Sequence, residues 1–199
     1  MTEPADEVVE GATPLDEDEQ EGLRVAAKTR GDLNQLEAVN IQAATEWAAK
    51  KRNFDPFSVN DLRDLHRRMF GSVWDWAGTF RQTMKNPSPL PAHAVQNAMH
   101  DFAANFKAQY ESANRSPEDL DRIAARYHHE LVRIHPWPNG NGRHARLATD
   151  LLLRRMGRPP FTWGNSDLLK VTAARSAYLA ALRAADGYDL TLLYDFVRS

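Results

Sequence analysis

No cysteine occurs among the 199 residues. Disulfide frameworks, thiolate nucleophiles and cysteine-held metals are therefore excluded, and the chain carries no redox mark of its compartment. No long apolar run free of charge exists, so nothing reads as a bilayer-spanning helix, and no membrane role is expected. Residues 1–11 are acidic rather than basic and apolar, which reads against a secretory leader, and a cytoplasmic location is expected by elimination. Charge of one sign is not in excess either. The formal net charge of -2 leaves no bulk electrostatic hold on nucleic acid, so direct nucleic-acid binding is not expected and any anion site must be local. Neither βαβ alternation nor an internal repeat is present, which removes doubly wound and solenoid architectures.

What is present is ample apolar material, 42% hydrophobic against 26% charged, enough for one domain with a core plus appendages. Residues 1–21 are rich in Glu, Asp and Pro, cannot bury enough surface to offset chain entropy, and read as a mobile or draped arm extending to residue 28. A helix is predicted to begin between Thr29 and Asp32, with Leu33, Leu36, Val39, Ala43, Ala44 and Trp47 on one face, and to end near Lys51, within an N-terminal extension over 29–53. Ser58 is the expected cap of a helix carrying Leu62, Leu65, Met69 and Phe70. Residues 79–91, studded with prolines, read as a loop or short hairpin and as the segment best suited to be a flap. Ser116, Pro117 and Asp119 spell a helix start, and that helix carries Ile123, Tyr127, Leu131 and Ile134. It must stop at His135, because Pro136 and Pro138 bracket Trp137. The next helix opens within 141–143 and runs through Leu147, Leu151 and Leu152 to Gly157. Two more follow, one capped by Asn165 or Ser166 and ending near Ala185, the other starting at Asp189. The fold class is all-α with at most one small hairpin.

The chemistry concentrates between His135 and Arg146, in His-Pro-Trp-Pro-Asn-Gly-Asn-Gly-Arg-His-Ala-Arg. Gly140 and Gly142 flank Asn141 immediately before a helix, so backbone amides can approach an anion closely and add the positive end of the helix dipole. Arg143 and Arg146, at i and i+3, present two guanidinium forks suited to further phosphate oxygens, which fits a polyphosphate better than a monophosphate. His135, with an ordinary pKa near ~6.5, can accept a proton from an attacking hydroxyl at neutral pH. Each feature alone has a structural reading as turn or packing residue; their conjunction in one loop does not reduce to turn chemistry.

That stretch resembles the Fic motif, His-x-Phe-x-(Asp or Glu)-Gly-Asn-Gly-Arg-x-x-Arg. The similarity continues in Leu65-His66, Trp76-Ala77-Gly78 and Arg81. It extends to the subfamily called mobile mystery protein B through Ala12-Thr13-Pro14-Leu15, Glu37 with Asn40-Ile41, His128-His129, Phe161-Thr162-Trp163-Gly164, Tyr178, Ala181-Leu182 and Ala185-Asp186. The resemblance implies a Fic-like helical bundle with a short β-hairpin flap and an N-terminal helical extension, with the catalytic domain over 54–199. It implies a protein adenylyltransferase that moves AMP from ATP to a Ser, Thr or Tyr hydroxyl of a target protein. In that scheme His135 is the base, Gly140, Asn141 and Gly142 hold the α and β phosphates, Arg143 contacts the β-phosphate and Arg146 the γ-phosphate. The flap docks the target by backbone pairing, and an antitoxin-like or helix-turn-helix partner and oligomers belong to the same implication. Trp137 stands where Phe is usual. Asn139 stands where an acidic residue normally holds Mg²⁺, so as a metal ligand it offers an amide oxygen without charge.

The resemblance also singles out Glu37. Fic chains with a helix ahead of the core often carry Ser or Thr, three residues, Glu, then Gly or Asn, and that glutamate pairs with the motif's last arginine. Here Leu33 and Ala38 fill the flanks, leaving an inhibitory Glu37 aimed at Arg146 or a solvated glutamate on an amphipathic helix. His128, His129 and Glu130 suggest a metal site, but adjacent helical residues point about 100° apart and seldom share one ion, so core and surface histidines are expected. Arg175 and Tyr178 lie one turn apart and either line a nucleobase pocket or pack helices. Two alternatives to AMP transfer stand beside it: transfer of another phosphate-containing group, and a non-catalytic nucleotide-binding regulator.

Overall fold

The computed structural model describes residues 16–26, 30–50, 54–85, 88–165, 168 and 172–199. Among these, the all-α expectation holds: the elements are α1 Glu17–Glu21, α2 Arg30–Lys50, α3 Val59–Phe70, α4 Val95–Ser112, α5 Pro117–Ile134, α6 Asn141–Arg155, α7 Ala173–Asp186 and α8 Thr191–Val197. The described residues of the flap, 79–85 and 88–91, show no hairpin pairing. No strand occurs among the described residues, and the sole bridge joins Leu23 to Trp74, outside the flap.

Local chemistry sets the helix ends. Ser58 Oγ accepts from the Asp61 amide at 3.3 Å and Ser116 Oγ from the Asp119 amide at 3.1 Å, as the capping signals predict. Helix α5 ends at Ile134, and His135 follows in the left-handed region at φ 52° with its amide bonded to the Leu131 carbonyl. Helix α7 is capped by Thr172, not by Asn165; Ser166 lies outside the described residues. Asn165 instead ends a short 3-10 turn, Trp163–Asn165. Helix α8 opens two residues beyond Asp189, whose carboxylate accepts from the Thr191 amide at 3.0 Å.

Helices α5 and α6 form the centre, covered by α3 and α4 on one side and by α7 and α8 on the other. Phe102, Phe106 and Tyr127 pack ring against ring at 4.7–5.4 Å between α4 and α5, and the Tyr127 hydroxyl donates to the Pro56 carbonyl at 2.8 Å. Arg158 and Arg198 both fork onto Asp121, tying the ends of α6 and α8 to the start of α5.

Two findings depart from the sequence reading. The reading places no element over α4, yet Val95, Met99, Phe102, Ala103 and Phe106 are buried at helical spacing. In α2 the predicted apolar face is rotated. Leu33, Glu37, Ala44 and Ala48 face inward, while Leu36 and Val39 are 39% and 67% exposed. A buried ion pair of Glu37, described next, fixes that rotation.

Candidate active site

The loop from His135 to Gly140 is held from three sides before any ligand is considered. Trp137 is fully buried, stacked on His66 at 4.4 Å and on Phe80 at 5.2 Å. Its indole donates to His144 Nδ1 at 3.2 Å, and His144 Nε2 donates to the Leu62 carbonyl at 2.9 Å. His66 accepts from the Gly78 amide at 2.9 Å and donates to the Asn139 carbonyl at 3.1 Å. Both rings thus act as neutral Nε2–H tautomers. Burial enforces this, holding His66 well below its ordinary pKa and pushing His144 down to about 4.

Asn141 closes the loop rather than pointing outward. Its Oδ1 accepts from the Trp137 amide at 2.9 Å, and its Nδ2 donates to the Trp137 carbonyl at 2.8 Å. The two glycines divide their work. Gly140 caps α6 at φ 77°, and a Cβ there would lie 2.5 Å from Phe70 Cζ, so this glycine is required by the fold. A Cβ on Gly142 would meet Arg146 Nη1 at 3.7 Å and the Tyr178 hydroxyl at 3.9 Å, ordinary contacts. Nothing among the described residues demands glycine at 142, and the space a side chain would fill is bounded by Arg146 and Tyr178.

His135 is 6% exposed. Its Nδ1 lies 3.3 Å from the Val132 carbonyl, which can only accept, so Nδ1 carries the proton and Nε2 is the basic nitrogen of the neutral ring. Burial pushes the imidazole down to about 4; the bond to Val132 opposes this, and the cations Arg81 and Lys85 add to it.

Arg81 fixes His135 from the flap side. Only 1% exposed, it donates from Nε to the His135 carbonyl at 2.7 Å, from Nη1 to Thr83 at 2.7 Å, and from Nη2 to the Leu90 carbonyl at 2.7 Å and Ser88 Oγ at 3.2 Å. Its own amide bonds to the Pro136 carbonyl at 2.9 Å. These bonds draw Thr83, Ser88 and Leu90 onto the end of α5. Sequence reading found Arg81 only as part of a resemblance, because a guanidinium satisfied by carbonyls leaves no acidic partner to detect. Arg81→Lys is expected to lower unfolding free energy by about 2 kcal/mol in denaturant titrations, since an ammonium cannot reach the forked set of acceptors.

The arginines of α6 part company. Arg143 Nη1 pairs with Glu37 Oε2 at 2.5 Å, its guanidinium lies 4.8 Å from the Phe70 ring centre, and Nη2 is 3.4 Å from Asn139 Oδ1. Glu37 is 3% exposed and also accepts from the Trp74 indole at 2.7 Å through Oε1. The expected partner of Glu37, Arg146, lies instead by Tyr178, 5.7 Å from its ring centre. Tyr178 packs helices and reaches His128 Nε2 at 3.0 Å; it also meets the space over Gly142. Arg175 donates to the Leu168 carbonyl at 2.5 Å. His128 is buried and pushed down to about 3 by burial, whereas His129 pairs with Asp186 at 2.8 Å, so the two neighbours face different surroundings.

Asn139 Oδ1 accepts from the Gly140 amide at 2.5 Å and faces Arg143. One neutral amide oxygen set between an N–H and a guanidinium does not fit a divalent cation, and no His/Asp/Glu group able to hold one occurs among the described residues. The Mg²⁺ expectation finds no support in the side chains present.

A basic nitrogen on the loop, a helix N-terminus without a side-chain cap and two arginines in the first turns of α6 form an arrangement for proton abstraction beside a bound polyphosphate. The Fic/DOC family pattern matches residues 56–153, which span α3 to α6 and the whole loop. The chain carries a domain of the Fic/DOC family. Relatives of this Fic/DOC domain include "Protein adenylyltransferase Fic" of Nematostella vectensis, 33% identical over 148 residues, covering 69% of this chain and 33% of that protein. The solved Fic-1 (residues 134–508) of Caenorhabditis elegans superposes with TM-score 0.66 at 27% identity, over 90% of this chain and 51% of that one. The N-terminal Fic domain of a Bartonella quintana effector, solved with bound ADP, shares the fold at TM-score 0.69 and 18% identity, over 88% of this chain and 87% of that one. The chain spans about a third of the length of the curated relatives it matches. No helix among the described residues is long and apolar enough to cross a membrane.

Proposed function

We propose that this chain is a protein adenylyltransferase that moves AMP from ATP to a Ser, Thr or Tyr hydroxyl of a target protein, restrained by Glu37. The observation that carries the reading is the left-handed turn placing His135 Nε2 on the same short loop as the open N-terminus of α6. The names of the relatives and the ADP bound to the Bartonella quintana domain support it.

The target hydroxyl oxygen attacks the α-phosphorus, the bond from that phosphorus to the β-phosphate oxygen breaks, pyrophosphate leaves, and the hydroxyl proton passes to His135 Nε2. The amides of α6 at Gly142 and Arg143 receive phosphate oxygens, and Arg146 completes the cradle from the Tyr178 side. Asn141 serves by holding the loop closed. Arg143 serves only when Glu37 lets it go, which is the restraint. Residues 54–199 are the catalytic part, and 29–53, with α2, the inhibitory extension. The finer likeness to mobile mystery protein B, with its helix-turn-helix partner and a cytoplasmic place of work, belongs to this proposal and rests on sequence resemblance; Ala12 to Leu15 lie outside the described residues.

The experiment is incubation with ATP and a cell lysate, followed by mass spectrometry for adenylate on protein hydroxyls. Its absence from every protein, this chain included, contradicts the proposal. A paired variant tests the cradle. Gly140→Ala is expected to cost about 2 kcal/mol of stability through its backbone conformation and the Phe70 contact. Gly142→Ala is expected to stay within about 0.5 kcal/mol of the parent, because helix propensity gains, yet to weaken ATP binding about tenfold by calorimetry, the scale of one charged hydrogen bond lost. Unchanged ATP affinity in the Gly142 variant places the phosphates elsewhere.

A further inference from the structure

We propose that Lys85, on the flap, is the docking point for an acidic segment of the target protein, and that Asp16 and Glu19 of this chain occupy it in the resting state. Lys85 is 4% exposed, and an ammonium so buried must be compensated. Its Nζ lies 3.0 Å from Asp16 Oδ2 and 2.5 Å from Glu19 Oε2. Both carboxylates come from the single turn that is α1 and its cap.

The way α1 is held marks it as an exchangeable occupant. It buries no residue of its own. Its attachment is polar: the Thr83 hydroxyl donates to Asp16 at 2.6 Å and the Trp76 indole donates to the Glu19 carbonyl at 2.9 Å. Just beyond it the Leu23–Trp74 bridge follows. A short turn fixed by hydrogen bonds and ion pairs, without apolar burial, opens at low cost.

What it holds is the part of the flap next to Arg81. Arg81 Nη1 holds the Thr83 carbonyl and Arg81 Nε holds the His135 carbonyl, each at 2.7 Å. The carboxylates therefore sit one residue away from the guanidinium that positions the base. A target segment with its hydroxyl at His135 would bring flanking residues to Thr83 and Lys85. The groups waiting there, an ammonium, a hydroxyl and an indole N–H, are all donors, and they select carboxylates on a turn as α1 presents them. The inference rests on reading the flap as the surface where the target docks.

The probe is a fluorescein-labelled peptide with the sequence of residues 16–24, followed by anisotropy against the full chain and its variants. Glu19→Gln keeps the shape of the side chain and removes its charge. This variant is expected to bind the peptide about tenfold more tightly than the parent, whose own α1 competes. Adding Lys85→Gln is expected to abolish that gain, and a peptide with Asn and Gln in place of its Asp16 and Glu19 is expected not to bind. Circular dichroism checks folding, and Asp16→Asn, altering a carboxylate 47% exposed, repeats the comparison if the first variant fails to fold. Equal binding by parent and variant, capture that survives Lys85→Gln, or equal capture of the peptide carrying Asp16→Asn and Glu19→Gln overturns the proposal. The readout is independent of catalysis. Capture without any adenylate transfer would contradict the proposed function alone, whereas transfer without capture would contradict this inference alone.

Discussion

His135→Ala is expected to lower the transfer rate by about 10²–10⁴-fold, the usual contribution of a positioned base, while ATP affinity stays within about threefold. The ring makes no phosphate contact in the proposed arrangement, and its carbonyl, not its side chain, receives Arg81. The backbone is the complication, since residue 135 sits at φ 52°, where alanine is disfavoured. His135→Asn separates the two effects, because Asn tolerates the left-handed region and cannot act as the base. Both variants should lose transfer, and the Asn variant should keep the parental melting temperature. The pH profile supplies a second readout. The active form is the neutral ring, and burial holds its pKa at about 4, so transfer should persist through pH ~6.5, where an exposed histidine would already be failing. The sign of the stability change must be followed alongside. His66, His128, His135 and His144 all refuse protons in the fold. Their unfolded counterparts bind protons below about pH 6.5, so stability declines from there toward about pH 4. An acid limb in transfer that tracks near 6.5 while the helical signal is intact would mean that His135 is not the base.

Glu37→Gln is expected to raise transfer by about 10–100-fold, the equivalent of one charged contact on Arg143 removed. The same variant should be less stable without nucleotide, by about 3 kcal/mol, because the Arg143 guanidinium loses its partner in a largely buried position. Gln still offers an oxygen to the Trp74 indole, so the change isolates the charge. ATP replaces the missing anion, so the thermal stabilisation by ATP should be larger in the variant than in the parent. Glycine at this place would confound the result by adding about 1 kcal/mol of helix cost. Unchanged transfer and ATP affinity would make the Glu37–Arg143 pair a packing device.

The candidate loop is legible because its signals are local: a histidine, the prolines after it that stop α5, and the glycines that open α6. The caps Ser58 and Ser116 were legible for the same reason. What required the fold was every pairing across distance. Glu37 is 106 residues from Arg143, and their bond, which turns Leu36 and Val39 outward, cannot be read from the apolar spacing of α2 alone. Resemblance pointed Glu37 at Arg146; the geometry gives it Arg143. Helix α4 carries no start signal, because Ala94 provides no side-chain cap, although its buried positions repeat at helical spacing. Arg81 and Lys85 are ordinary flap cations in sequence, and only the fold shows that one fixes the His135 backbone and the other holds the N-terminal turn.

The most direct test of AMP transfer compares two labels. The Glu37→Gln protein is incubated with target proteins and ATP labelled on either the α- or the γ-phosphate, with His135→Asn in the same background as control. The account predicts that α-label enters protein, γ-label leaves as pyrophosphate, and the His135 variant transfers neither. Incorporation of γ-label, or α-label incorporated equally without His135, would contradict it.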